Sequence, residues 1–132
     1  MEKWWIEAQL RDGGRCVYCG LDLYATFGLY YSTQGDHLIP RSTLRQPELA
    51  DVLRNHDVFR GGPVRYNSVS NCVTTCVFCN QHKGKALPDG WERMTREELI
   101  DWNRRELATV RSSHEREYER RVAVLASRQQ PS

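Results

Sequence analysis

Five cysteines and a handful of acids, asparagines and histidines carry the chemistry that this chain could do. Cys16 and Cys19 form one C-x-x-C in "CVYCG". Cys76 and Cys79 form a second in "NCVTTCVFCNQHKGK". Each short turn brings two sulfurs together. Two such pairs can present four thiolates tetrahedrally to Zn²⁺, with Zn–S distances near ~2.3 Å. A site closed by four sulfurs has no open coordination position, so a structural zinc is expected, tying residues 16–19 to 76–79. The spacing from Cys19 to Cys76 is 57 residues, which places something sizeable between the two knuckles. Cys72 belongs to neither pair and reads as a small buried apolar residue.

"GDHLIP" sets Asp36 beside His37. Neighbours on a regular strand point to opposite faces, so both reach one site only at a strand end or where the strand is distorted. An imidazole with an ordinary pKa near ~6.5 can be neutral at physiological pH and accept a proton. Asp36 could alternatively be a surface acid and His37 a packed one. Asn80 reads as an oxygen donor to a metal or as a helix N-cap. Asn71 reads as a turn residue or a site residue. His82 could face phosphate, a metal or solvent. Arg41 could hold phosphate or simply be solvated.

Taken together, "GDHLIPRS", then Asn71, the run Cys76-x-x-Cys79-Asn80 and Lys83, preceded by "CVYCG", resemble the HNH endonuclease family, the zinc-stapled branch of the ββα-metal nucleases. Asn71 lies five residues before Cys76, eight before Cys79 and nine before Asn80, as in that family's pattern. The resemblance runs from Cys16 to Lys83 and leaves the flanking helices uncovered. It implies metal-dependent hydrolysis of DNA phosphodiester bonds, leaving 5′-phosphate and 3′-hydroxyl ends. His37 would be the general base. Asp36 and Asn80 would hold a catalytic Mg²⁺ or Mn²⁺. Asn71 would hold the base-bearing strand and orient His37. Cys16, Cys19, Cys76 and Cys79 would ligate the structural Zn²⁺, and Lys83, with Arg41 and His82, would contact DNA phosphate. One departure is the 34-residue step from His37 to Asn71, which places an insertion within 41–62. Two other readings are a zinc-knuckle DNA-binding module without catalysis, and a nuclease subunit of a restriction, toxin or phage-packaging system.

These residues need elements to hold them. Residues 2–11 read as a helix with Trp4, Trp5 and Ala8 on its apolar face, ended by "DGG" at 12–14. Residues 29–39 are rich in aromatic and β-branched residues and read as a strand stopped by Pro40. A short helix with Pro47 in its first turn is expected in 41–57, where His56 reads as exposed. "RGGPVRYNS" at 60–68 is a loop, and "SNCVTTC" at 70–76 is extended. A helix is expected from Asn80 to about Leu87, its N-terminus favouring an anion. Thr95, with Glu98 three residues on, forms a capping box for a long helix. Leu99, Asn103, Leu107, Val110, His114, Tyr118, Val122 and Leu125 form one stripe along it. The expected fold is α+β: a small ββα-metal core with a four-cysteine zinc site, flanked by an N-terminal and a long C-terminal helix. Residues 1–94 would form the nuclease domain. Residues 95–132 would form a helical extension that packs on it or dimerises, or joins a larger restriction or phage assembly.

The chain's 132 residues suffice for one modest core. Apolar residues are 39% and charged residues 27%, a soluble, globular balance. Residues 36–85 carry seven basic and four acidic side chains, whereas 1–35 and 86–132 are together slightly acidic. The excess of positive charge in the middle suits a polyanionic partner. No apolar run approaches the roughly 20 residues that span a bilayer. The N-terminus lacks the apolar core of a signal peptide, so a cytoplasmic protein with no membrane partner is expected.

Overall fold

A two-stranded antiparallel sheet lies at the centre of the computed structural model, which describes residues 2–129. Strand β1 (Gln34–His37) pairs with β2 (Cys72–Thr75), with Asp36 opposite Val73 and His37 opposite Cys72. Gly35 is needed by close approach. A Cβ there would meet the Trp5 ring at 2.9 Å and Cys72 Sγ at 3.0 Å. Cys72 is fully buried against this strand, as expected of a small apolar residue.

Helix α1 (Lys3–Arg11) packs on β2 and ends where Gly13 and Gly14 take left-handed φ values of 66° and 68°. Asp12, the residue that closes α1, accepts the Thr74 N–H at 2.9 Å and is paired with Arg11 at 2.8 Å. Burial works to raise its pKa, but the hydrogen bonds and charge from Arg11 and Thr74 outweigh it, and the carboxyl is held below 3.8. A depressed carboxyl contributes stability that is present above the unfolded pKa and is lost as pH falls through the folded one. Asp12→Ala is therefore expected to cost about 1.5–3 kcal/mol at neutral pH, the value of a hydrogen bond to a charged group. The gap between variant and parent should close below the ordinary carboxylate range, as measured by denaturant melts across pH. A gap that stays constant in acid would remove the charge from the explanation.

The strand expected over 29–39 forms only at Gln34–His37. Phe27–Tyr31 forms helix α2, capped by Thr26 Oγ1, which accepts from Leu29 N–H at 3.1 Å. Phe27 and Tyr31 stack one turn apart at 5.9 Å, and Ser32 and Thr33 hydroxyls donate to the carbonyls of Gly28 and Leu29. β-propensity measures fit to a pleated, half-buried surface. These rings lie outside the sheet, so local capping and stacking decide instead.

The insertion is built into the core. Helix α3 (Arg41–Leu44), a 3-10 turn (Pro47–Leu49), helix α4 (Ala50–Asn55) and a second 3-10 turn (Asp57–Phe59) bring Leu53, Val58 and Phe59 into it beside Leu38, Ile39 and Val73. His56 is buried at 2% exposure, contrary to the expectation of exposure. Its Nδ1 accepts from Val58 N–H at 3.1 Å, its Nε2 donates to the Trp91 carbonyl at 2.9 Å, and its ring lies against Trp91. The partner that satisfies it is 35 residues away, so no local pattern announced it.

Helix α5 (Val77–His82) starts three residues earlier than expected, because Cys76 caps it. Helix α6 (Arg96–Gln129) opens with the expected capping box. Glu98 N–H donates to Thr95 Oγ1 and Thr95 N–H to Glu98 Oε1, both at 3.1 Å. Its 34 residues span about 51 Å at 1.5 Å per residue. Leu99, Ile100, Asn103 and Leu107 are buried, whereas Tyr118, Val122 and Leu125 are exposed. Packing on the domain therefore accounts for the first part of the stripe and stops near His114, whose ring meets Phe78 and His82. No helix among the described residues is long and apolar enough to cross a membrane.

Candidate active site

The four paired cysteines converge. The sulfurs of Cys16, Cys19, Cys76 and Cys79 all lie within 4.8 Å of one another. Cys19 Sγ and Cys76 Sγ are 3.8 Å apart. A tetrahedron of sulfurs at ~2.3 Å from zinc has edges of about 3.8 Å, so the donor set and its spacing fit a closed zinc site. Gly20, with φ 80°, turns the first knuckle so that its N–H donates to the Cys16 carbonyl at 2.8 Å. Val17 N–H donates to Thr74 O at 2.9 Å and ties that knuckle to β2. Neighbouring S–H groups hold the Cys76 thiol far below its usual range, while hydrogen bonding to the same sulfurs and burial push Cys79 up. Burial pushes Cys19 up to about 11. Arg111 reaches in from α6, with Nη1 at 3.9 Å from Cys79 Sγ, and sets a guanidinium beside the sulfurs.

The first knuckle also reaches the second group of polar residues. Tyr18, between Cys16 and Cys19, donates its hydroxyl to Asp36 Oδ2 at 2.6 Å. Burial first, then the Asp36 charge, pushes the Tyr18 pKa well above 10, so it remains a donor. Asp36 is also paired with Lys83 at 3.1 Å, and Lys83 Nζ donates to the His37 carbonyl at 3.2 Å. His37 follows at the strand end. Its ring stacks on Tyr66 at 3.7 Å with 9° between planes, and its Nε2 is 2.9 Å from Asn67 Oδ1. Burial lowers the His37 pKa below 6.5, aided by the charges of Lys83 and Arg41 and opposed by Asn67 and Asp36. The imidazole is therefore neutral at physiological pH.

Asp36, His37, Arg41, Asn80 and Lys83 all line one cleft of about 510 Å³, with Tyr66 and Lys85. Arg41 lies with Cζ 4.4 Å from the centre of the Tyr66 ring. Asn80 on α5 and Lys83, the residue that closes that helix, both line the cleft. His82, two residues from Asn80, turns the other way. Its Nδ1 lies 2.9 Å from the Phe78 carbonyl, and its ring stacks on Phe78 and meets His114 of α6. The structure thus separates His82 from the expected phosphate contacts. Because α5 begins at Val77, Asn80 is not at a helix N-terminus, and its own N–H donates to the Cys76 carbonyl at 3.1 Å. The expected helix-terminus site for an anion is not formed there.

Asn71 is fully buried behind the cleft. Its Oδ1 accepts from Ile39 N–H at 2.8 Å, and its Nδ2 donates to the Ile39 and Tyr66 carbonyls, each at 3.1 Å. It clasps the chain two residues beyond His37 and does not bond the imidazole. Besides Lys83, the direct partners of Asp36 and His37 are Tyr18, Tyr66 and Asn67, none of which sequence reasoning singled out. Tyr18 could have been noticed as the aromatic inside the first knuckle. Tyr66 and Asn67 sit in an ordinary "RYNS" loop that carries no such signal. Compared with known proteins, the chain matches no family model, no curated protein and no solved structure.

Proposed function

We propose that this protein is a metal-dependent endonuclease of HNH type that hydrolyses DNA phosphodiester bonds. The observation that carries the reading is the shared cleft: a neutral imidazole at the end of a β-strand, a carboxylate and an amide oxygen, ringed by Lys83, Lys85 and Arg41. The order of motifs around that cleft, with two cysteine knuckles behind it, supports the HNH reading.

The residues divide the work of hydrolysis. His37 accepts a proton from a water molecule, which then attacks phosphorus in line. Lys83, Arg41 and Lys85 give the cleft an excess of positive charge that draws in and orients the phosphate backbone. Asp36 and Asn80 offer oxygen donors only, a set that fits Mg²⁺ or Mn²⁺ in kind. When bound there, such a cation would supply charge neutralisation at the phosphate and at the departing 3′ oxygen. Tyr18 and Lys83 hold the Asp36 carboxylate in place. Zinc, in this reading, does no chemistry. It fixes Tyr18 and α5, and through them the two oxygen donors.

A labelled DNA duplex separates this reading from a binding module. Incubation with protein and Mg²⁺ or Mn²⁺ should give fragments bearing 5′-phosphate and 3′-hydroxyl ends, which DNA ligase can rejoin. Retarded migration of intact duplex, with no fragments in any divalent metal, would assign the protein to binding without catalysis.

A further inference from the structure

Two contacts hold the His37 ring, and two more hold the tyrosine against it. Asn67 Oδ1 lies 2.9 Å from Nε2, and the ring lies flat on Tyr66 at 3.7 Å. Arg41 sits 4.4 Å from the centre of the same tyrosine. Two planar groups cannot share one face at those distances, so Tyr66 is sandwiched between His37 and Arg41. The Tyr66 carbonyl is in turn held by buried Asn71, which also holds both backbone groups of Ile39.

We infer that Asn67 is the positioning residue of His37, fixing the tautomer in which Nδ1 carries the lone pair that takes the proton. A carbonyl oxygen can only accept a hydrogen bond, so Nε2 must carry the hydrogen. The remaining nitrogen, Nδ1, has no protein partner among the described residues. When water gives up a proton, the O–H bond breaks and an Nδ1–H bond forms. The positive charge that results is stabilised through Nε2–H by the Asn67 oxygen. Tyr66 holds the ring plane, and the clasp of Asn71 keeps the Tyr66–Asn67 loop against the strand end. The histidine-orienting role expected of Asn71 is thus divided: Asn71 fixes the backbone, and Asn67 fixes the imidazole. The loop that carries Asn67 follows directly on the insertion within 41–62.

The catalytic consequence rests on the nuclease reading, whereas the tautomer does not. The test is nitrogen NMR of ¹⁵N-histidine-labelled protein at about pH 8.5, where imidazoles are neutral. Wild-type His37 should show one protonated-type Nε2 and one unprotonated-type Nδ1. Asn67→Ala should move both signals toward the average of two tautomers, while Asn67→Asp, which keeps an acceptor oxygen, should retain the wild-type pattern. Asn67 is exposed, so neither variant should disturb folding. Under the same pairing, DNA cleavage should fall about tenfold in Asn67→Ala, the effect of one lost hydrogen bond, and be largely restored in Asn67→Asp. An Asn67→Ala spectrum identical to wild type, or a wild-type His37 protonated at Nδ1, would overturn the inference. Tautomer loss in Asn67→Ala from a protein that cuts no DNA would support the inference and overturn the nuclease reading alone.

Discussion

Replacing Cys76 with serine is expected to leave the chain without its zinc and without a folded core. Cys76 does three things at once. Its sulfur is one of the four that converge, it caps α5 by accepting from Cys79 N–H at 3.4 Å, and it lies 3.8 Å from Cys19 across the two knuckles. Structural zinc contributes about 10–16 kcal/mol of apparent binding energy in small domains, whereas a whole domain is stable by only about 5–15 kcal/mol. Losing the ion removes as much free energy as the fold has to spare. The core is modest, and the segments joined by the knuckles are 57 residues apart. We expect metal analysis to find one zinc per wild-type chain and none in Cys76→Ser, with the variant showing no cooperative thermal transition by circular dichroism. Cys72→Ser is the control. Cys72 lies outside the cluster, its thiol is held up to about 12 by burial, and it should keep its zinc. A Cys76→Ser protein that retains zinc and melts cooperatively would remove the scaffold role. Protons compete with zinc for thiolates, so acid should release the metal and unfold the domain together.

What the sequence made legible was what is local and periodic. The capping box at Thr95 and Glu98, the glycine stop after α1 and the extended run before Cys76 all formed where their residues pointed. The cysteine pairs were legible because metal-ligand spacing is set by the turn itself. The strand at 29–39 was misread because aromatic residues serve a sheet or an exposed helix equally well, and only their surroundings choose. His56 was misread for the same reason at longer range: its hydrogen-bond acceptor is the backbone of Trp91. The outer half of α6 follows the same stripe as its inner half, yet only the inner half meets the domain.

The candidate site shows a similar division. Asp36, His37, Arg41, Asn80 and Lys83 do share a cleft, and the i,i+3 spacing of Asn80 and Lys83 already placed those two on one face. His82 was grouped with them by nearness in sequence, but a step of two residues on a helix turns it toward α6. Tyr66 and Asn67 could not be read, because they lie in a loop without a signal and meet His37 across a gap in sequence. The contact of Asn67 with His37 spans 30 residues.

Changing His37 to alanine is expected to have the largest effect on activity of any replacement that leaves the fold intact. The ring lines the cleft beside Asp36, is neutral at physiological pH, and has one nitrogen engaged by Asn67. A positioned general base contributes typically ~10²–10⁴-fold, and no other neutral imidazole lines this cleft among the described residues. Lys83 and Arg41 offer hydrogen-bond donors and not a base, and Tyr18 and Lys83 both engage Oδ2 of Asp36. Removing the ring leaves the zinc cluster, Asn71 and the basic rim in place, so folding and DNA affinity should hold while cleavage fails. The most direct measurement is the rate at which wild type and His37→Ala convert supercoiled plasmid to open-circular or linear DNA in Mg²⁺ or Mn²⁺, with chelator as the blank. We expect conversion by wild type only when a divalent metal is present, and a fall of about a thousandfold in His37→Ala with unchanged thermal stability. Cleavage by His37→Ala at the full wild-type rate would contradict the account.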